Sequence, residues 1–524
     1  MKILLYCQNI AKFQNRNKPI VMMLIYGLSL LLALTMLILW FRFQDKSAAA
    51  AFRNLFFLSL LAYFGSLFTQ VAPMSYKLEV LIRDLVFIGV FGTAFSYIAR
   101  LRAAFWIGLI MTVAGGFYYY KTILRPSFPF QQPAKQITLD AEGELLIEVK
   151  QGADLQRLAP LFEQHDLDVT RAFSPQRPEA TDLDDFYLID VPENADLDAI
   201  RSALRQKGII EHVEDNEQIQ VSPMRSKRLP PKIEKKYGIN DPGLENLWSF
   251  EQMKMDELYQ LLTNQKPKKE ALIAILDTGV DAKHEDLASN YTSLRSKYDD
   301  DPRGHGTHCA GIAGAVSNNG IGVASYSRTN DFVEITSIKV LNSYGMGTQK
   351  GIINGIIEAA DKGADVISLS LGGPSNDRRQ RAYSEAVAYA KKAGAIVIAA
   401  AGNSSMNAKD YSPANADGII TVSAVDHELQ QATFTNTVQD VKMGIAAPGV
   451  GIYSTVPNNA YDTYNGTSMA TPYVAGLIGL MKSLQPDLTA EEAHRILQKT
   501  GTKTSDTRLT GRFIQPAKAV KALR

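Results

Sequence analysis

The chain has 524 residues, 46% hydrophobic and 21% charged, with a formal net charge of +1. The charge is unevenly spread: residues 1–124 carry 12 basic and 3 acidic side chains, and the remainder carries 43 and 51. This excludes a disordered polyelectrolyte, a basic nucleic-acid binder and a uniformly soluble chain. Two cysteines, Cys7 and Cys309, exclude a disulfide framework.

Residues 19–41 and 54–76 are uncharged apolar runs of 23 residues each, long enough at 1.5 Å per residue to cross a bilayer core, and 103–120 is another uncharged run. The run 85–99 reaches spanning length only if Leu81 and Ile82 join it, with Arg83 and Asp84 inside the span or at its edge. Aromatic ends such as Trp40-Phe41 and Tyr118-Tyr119-Tyr120 favour membrane spans over a signal peptide or buried core helices. The expectation is an all-α transmembrane region of about four helices over 1–124, in contact with lipid, making the protein integral and multi-pass. Lys and Arg number eight on one face and five on the other, leaning towards a cytoplasmic C-terminal region. Losing the third helix reverses that, so the side of the C-terminal region stays open. Only Arg83 and Asp84 put charge near a span, beside Glu79, so the helices read as an anchor or sensor rather than a channel.

A linker, 125–139, leads to an α+β unit over 140–222. Strands are predicted at 144–149, 169–173 and 186–191, helices at 153–165 and 196–207, and extended chain over 210–221. The basic stretch in 223–238 has no interleaved aromatic residue and reads as a solvated linker, not a nucleic-acid patch. Over 239–524 short apolar runs (272–276, 334–341, 366–371, 395–401, 419–425) alternate with helical segments near 349–361, 380–393 and 467–484. That pattern predicts an α/β fold with a parallel sheet covered by helices on both faces, and its chemistry belongs beyond the carboxyl ends of the strands.

Those ends hold Asp277-Thr278-Gly279, then Gly304-His305-Gly306-Thr307-His308-Cys309 opening a helix, Gly402-Asn403, and Gly466-Thr467-Ser468-Met469-Ala470-Thr471-Pro472 at another helix start. Acyl transfer needs these types: a hydroxyl nucleophile, an imidazole to take its proton, a carboxylate to orient the imidazole, and an amide donor for the oxyanion. Singly, each has a bland reading, as a turn Asp, an N-cap Ser, or half a metal site in His305 and His308. Together, in the order Asp, His, Ser, they resemble the subtilisin-like serine proteases (subtilases) over about residues 240–500.

The resemblance implies a subtilisin-like fold and a serine endopeptidase. Asp277 would orient the imidazole, His305 act as general base and then acid, Ser468 as nucleophile, and Asn403 donate to the oxyanion beside the Ser468 N–H. His308 is then structural. Ser370, Leu371 and Gly372 resemble the substrate-binding strand, and Ala400 and Gly402 the facing wall of the first pocket, whose base falls near 409–413. The family default is broad cleavage after apolar or aromatic residues. Cys309 looks like the thiol that the thermitase and proteinase K branches place beneath the catalytic His. Asp241, Asp286, Val316, Asn319, Ile321 and Val323 resemble the family's tight calcium site, the alternative being an ordinary Asn-Gly turn; structural Ca2+ is the expected cofactor. The 140–222 unit resembles an inhibitory propeptide whose tail lies in the active site, with autocleavage between about Val221 and Gly238. The whole reads as a membrane-anchored zymogen acting on protein or peptide substrates, with its own propeptide-like domain and the lipid membrane as partners. The alternative is a membrane sensor or scaffold whose protease-like domain only binds peptides.

Overall fold

The computed structural model of the chain describes residues 18–44, 47–68, 81–82, 84, 88–89, 143–192, 195–221, 224–226, 231–234, 237–375 and 381–523. The chain divides into two units, residues 1–140 and 141–524.

In the first unit, helices α1 (Lys18–Arg42) and α2 (Ala49–Phe68) pack through Leu30, Leu34, Leu37, Phe56 and Tyr63. The Tyr63 hydroxyl donates to Asp84 at 3.0 Å. The outward face of α2 is apolar too: Leu55, Phe57, Leu58 and Leu61 are exposed, Leu61 to 68%. By length and composition, Ala49–Ser66 is long and apolar enough to cross a bilayer, and Ser29–Arg42 is a shorter apolar helix. The expected span 103–120 and the linker 125–139 lie outside the described residues, as does all of 85–99 except Ile88 and Gly89.

The second unit opens with an α+β layer. Strands β1 (Leu145–Val149), β2 (Asp168–Arg171), β3 (Phe186–Asp190) and β4 (Ile210–Asp215) form an antiparallel sheet in the order β2-β3-β1-β4. Helices α3 (Ala159–His165) and α4 (Leu197–Arg205) cover one face, giving the split βαβ arrangement. The expected helix 153–165 begins as a single 3₁₀ turn, Leu155–Leu158, before α3. Period-two alternation sorts β1: Leu145, Ile147 and Val149 join Leu161, Ile200 and Leu204 in the layer's own core. Leu146 points the other way, with Leu188, into a core shared with the helices of the larger sheet. After β4 come the short strands β5 (Gln218–Gln220) and β6 (Met224–Arg225).

Helices α5 (Trp248–Gln252) and α6 (Met255–Leu262) lead into a six-stranded sheet. Its members are β7 (Ala271–Asp277), β8 (Val333–Lys339), β10 (Val366–Leu369), β12 (Ile396–Ala400), β14 (Ile420–Val425) and β15 (Gly444–Pro448). All its pairings are parallel, in the order β15-β14-β12-β10-β7-β8. Strand β15 is an addition to the five expected. Helices α7 (His305–Gly314) and α10 (Thr467–Leu484) lie in the core on one face, and α8 (Gln349–Asp361) and α9 (Arg381–Lys392) in the core on the other. Both faces are therefore dry, and the strands read as continuous apolar runs such as Leu272-Ile273-Ala274-Ile275-Leu276. All of α10 but Leu484 is buried. It fits because Gly476 lies against the Ala313 carbonyl, where a Cβ would sit 2.5 Å from the oxygen. The strand order reverses at the β7–β10 neighbours, which puts the switch-point crevice beside Asp277 and Ser370.

Candidate active site

Strand β7 ends at Asp277, which is wholly buried. Its Oδ1 accepts from the Thr278 N–H at 2.7 Å, and the carboxylate receives His305 Nδ1–H at 2.8 and 2.9 Å. A carboxylate only accepts, so the proton sits on Nδ1 and Nε2 keeps its lone pair, the tautomer a general base needs. His305 is the first residue of α7, and Gly306 follows because a Cβ there would meet the Gly279 carbonyl at 2.1 Å. Burial pulls the His305 pKa down, but the Asp277 carboxylate more than offsets it by charge and hydrogen bond, and the net shift is upward.

The α7 entrance hangs on a residue that sequence reasoning missed. Asp301, buried, accepts from the Thr278 hydroxyl, from the Gly304 N–H and from both the N–H and hydroxyl of Thr307, all at 2.8–2.9 Å. One side chain thus ties the β7 loop to the first turn of α7. Its only sequence signal was an acid four residues before the histidine.

Ser468 is the second residue of α10, where free N–H groups and the helix dipole favour a negative charge. Pro472 has no N–H to give the Ser468 carbonyl four residues back. That oxygen instead accepts from the Ser370 hydroxyl at 2.8 Å and the Cys309 thiol at 3.5 Å. The Ser468 hydroxyl is turned to the Ser370 carbonyl, 2.9 Å away, so a proton transfer to His305 would require it to rotate. Catalytic hydrogen bonds commonly tighten only when substrate is bound. Asn403 Oδ1 accepts from the N–H and hydroxyl of Thr467 at 2.8 and 2.9 Å, which commits the carbonyl end of the amide and leaves Nδ2 to donate. An atom placed as a Cβ on Gly466 would lie 3.5 Å from Asn403 Nδ2 and 3.6 Å from the Ser468 nitrogen, so the two donors flank one space. The arrangement suits attack on a carbonyl whose oxygen becomes charged.

Cys309 is fully buried, and burial pushes its thiol well above the usual range, so it is protonated and inert as a nucleophile. His308 Nε2–H donates to the Asp462 carbonyl at 3.1 Å, its ring stacks on Tyr464, and burial lowers its pKa to about 3. It is a neutral core residue that points away from His305's partner, as expected of a structural histidine.

Two short segments of this chain pair with the edges of the protease-like half. Strand β5 pairs antiparallel with β9 (Met346–Thr348), Ile219 opposite Gly347, and the Val221 N–H donates to the Gly345 carbonyl at 2.8 Å. Strand β6 pairs with β16 (Ala460–Asn465), which leads into the helix carrying Ser468, with Met224 opposite Asn465, and the Ser226 N–H donates to the Thr463 carbonyl at 2.8 Å. Sequence reasoning expected the added strand on Ser370–Gly372; the partner strand it missed is β9, in a Gly-Met-Gly turn too short to show periodicity. Gly373 forms the other side, 3.3 Å from Ile219 Cδ1 measured from its ideal Cβ. The open face of the α+β sheet reinforces this docking. Glu214 accepts from the Arg381 and Ala382 N–H groups at the start of α9, Asn216 accepts from Lys350 in the first turn of α8, and Arg381 donates to Glu148 at 2.8 Å.

Away from the cleft, Asp241 accepts from the Asn318 N–H (2.8 Å), and Asp286 from the Val323 N–H (2.7 Å) and Asn319 Nδ2 (2.8 Å). Val316 donates its own N–H to the Asp286 carbonyl, and Ile321 donates to Asn319 Oδ1. Burial pushes Asp286 up to about 7 and raises Asp241 as well, so a divalent cation beside them would restore both charges. Both carboxylates are buried and met by N–H donors, Asn318, Val323 and the Asn319 amide, and carboxylate oxygens are the hard ligand type that calcium takes.

Residues 268–513 match the profile of the Subtilase family, Peptidase S8. Subtilisin DY from Bacillus licheniformis is 42% identical over 242 residues, 45% of this chain and 84% of that protein. Thermitase from Thermoactinomyces vulgaris is 42% identical over 244 residues, 45% of this chain and 83% of that one. A solved structure of proteases from Pseudoalteromonas arctica, 28% identical, covers 55% of this chain and 99% of its own, with a TM-score of 0.49.

Two outcomes are expected. Because His305 must be neutral to act as base and its pKa lies above the ordinary 6.5, the acid limb of kcat/KM should have its midpoint above 6.5. In Asp277→Asn the limb should move below that value while turnover falls about 10⁴-fold; an unmoved limb would contradict the pairing. Chelating calcium should lower the apparent melting temperature by roughly 5–10 °C, and an unchanged melt would remove the cation from the Asp241–Asp286 site.

Proposed function

Since the chain belongs to the subtilase family and is a serine-type endopeptidase, we propose that Ser468 is its nucleophile, with His305 as base and then acid, Asp277 as orienting carboxylate, and Asn403 and the Ser468 N–H as oxyanion donors. We propose further that it is made as a self-inhibited zymogen on a multi-pass membrane anchor. The observation that carries the zymogen reading is backbone pairing of residues 218–221 and 224–226 on either side of Ser468, in the manner of a peptide added as an extra strand. The exposed apolar face of α2 and the further apolar runs in 1–124 support the anchor. Calcium, held by Asp241, Asp286 and Asn319 with the carbonyls of Val316, Ile321 and Val323, would fix residues 240–243 to the core. In this reading Ser370–Gly372 and β9 grip the residues before the scissile bond, and Ala400–Gly402 walls the first pocket.

In this reading self-processing falls, within 221–238, at the bonds between Val221 and Met224, and the strand pairings on either side support that placement. Two of those three bonds involve Pro223, which has no N–H to donate and whose nitrogen makes the Ser222–Pro223 bond a tertiary amide. Processing at this register is therefore slow. Pro223→Ala is expected to split at least tenfold faster on a gel time course; equal rates would move the cut into the basic stretch beyond Ser226. A fluorophosphonate should label full-length wild type at Ser468, and labelling that persists in Ser468→Ala would overturn the nucleophile assignment.

A further inference from the structure

We infer that Tyr411 forms the floor of the first substrate pocket and limits this enzyme to small residues, such as alanine and serine, on the acyl side of the cleaved bond. The inference rests on Ser468 as nucleophile and goes beyond that reading to the substrate class. The pocket lies between the Ser370–Gly372 segment and the end of β12. An ideal Cβ on Gly372 would stand 2.9 Å from the Ser412 carbonyl, 3.9 Å from the Ala400 carbonyl and 3.9 Å from Pro413 Cδ. Both walls and residues 412–413 therefore meet within one side-chain length. Tyr411 immediately precedes this pair. Strand β13 (Tyr411–Ser412) pairs with β11 (Gly373–Pro374), which continues the first wall. The Tyr411 ring lies against the second: a Cβ on Gly402 would be 2.7 and 2.8 Å from its Cδ1 and Cε1.

The ring has nowhere to retreat. Its hydroxyl is hydrogen-bonded to the Ser404 hydroxyl, one residue beyond the oxyanion donor Asn403. Tyr411, 5% exposed, clusters with Ala401, Ala408, Ala414 and Val438, with half-buried Val441 packed against them and the buried Asn436 amide beside the ring at Gly402. Moving the ring to admit an aromatic or long aliphatic side chain would break the hydroxyl pair and overpack that cluster. A methyl or hydroxymethyl group needs no such movement. The family default of cleavage after large apolar residues is thereby replaced, for this chain, by a preference set by one side chain.

The test uses the full-length chain in detergent with calcium and two peptidyl phosphonates that differ only in carrying the alanine or the phenylalanine analogue at the reactive position. The ratio of their labelling rates at Ser468 cancels occupancy of the cleft by the chain's own tail, which slows both alike. Wild type should react at least tenfold faster with the alanine reagent. Tyr411→Gly should reverse the ratio, a change of about a hundredfold or more, while Tyr411→Phe, which keeps the ring, should retain the alanine preference. Equal or faster reaction of the phenylalanine reagent with wild type overturns the inference without any variant, so a Tyr411→Gly chain that fails to fold does not rescue it. If neither reagent nor a small fluorophosphonate labels Ser468, the nucleophile assignment falls and the pocket assignment with it.

Discussion

An imidazole held 2.8 Å from a fully buried carboxylate is the interaction on which the rest of the structure depends. Removing both groups from water disfavours every charged form, so the pair survives only where geometry is enforced from outside and the remaining lone pairs are met. The enforcement comes from two element ends meeting at the reversal of strand order. Strand β7 delivers Asp277, α7 delivers His305, and Asp301 joins them through four hydrogen bonds. Gly306 and Gly279 allow the two backbones to touch. Ser468, the proposed nucleophile, arrives on a third element, α10, whose burial along nearly its whole length makes its position a property of the core rather than of a loop.

On the proposed account the same cleft explains why the protease half is preceded by an α+β layer. A site built to add a peptide as an extra strand will take the chain's own tail if that tail is held nearby, and the layer supplies that hold. Its open sheet face buries Leu146 and Leu188 on α8 and α9, and its carboxylate and amide groups meet the free N–H groups where those helices start. On the proposed account, membrane helices, inhibitory layer and protease follow one another in the chain, so self-processing would separate the catalytic part from its anchor while leaving it bound non-covalently.

The motifs, the five central strands and helices 349–361 and 467–484 were legible in the sequence because each is either a continuous apolar run or a chemical constellation without a cheaper explanation. What stayed hidden was set by contacts between distant segments. Asp301 looks like any loop acid until its partners Thr278 and Thr307 are brought to it. Strand β9 is three residues long and exists only as a partner of β5. Strand β15, Gly-Ile-Ala-Ala-Pro, has too little hydrophobic contrast to announce itself. Residues 409–413 could be placed near the pocket base, but which side chain faces the cleft depends on β11–β13 pairing, and no periodicity encodes that.

The most direct test of the account is the intact mass of the full-length chain in detergent with calcium, followed over hours for wild type and for Ser468→Ala. The account expects wild type to separate into two fragments whose masses place the cut between Val221 and Met224, with the variant remaining whole. A folded wild type that stays whole, or a Ser468→Ala chain that divides at the same bond, would contradict it.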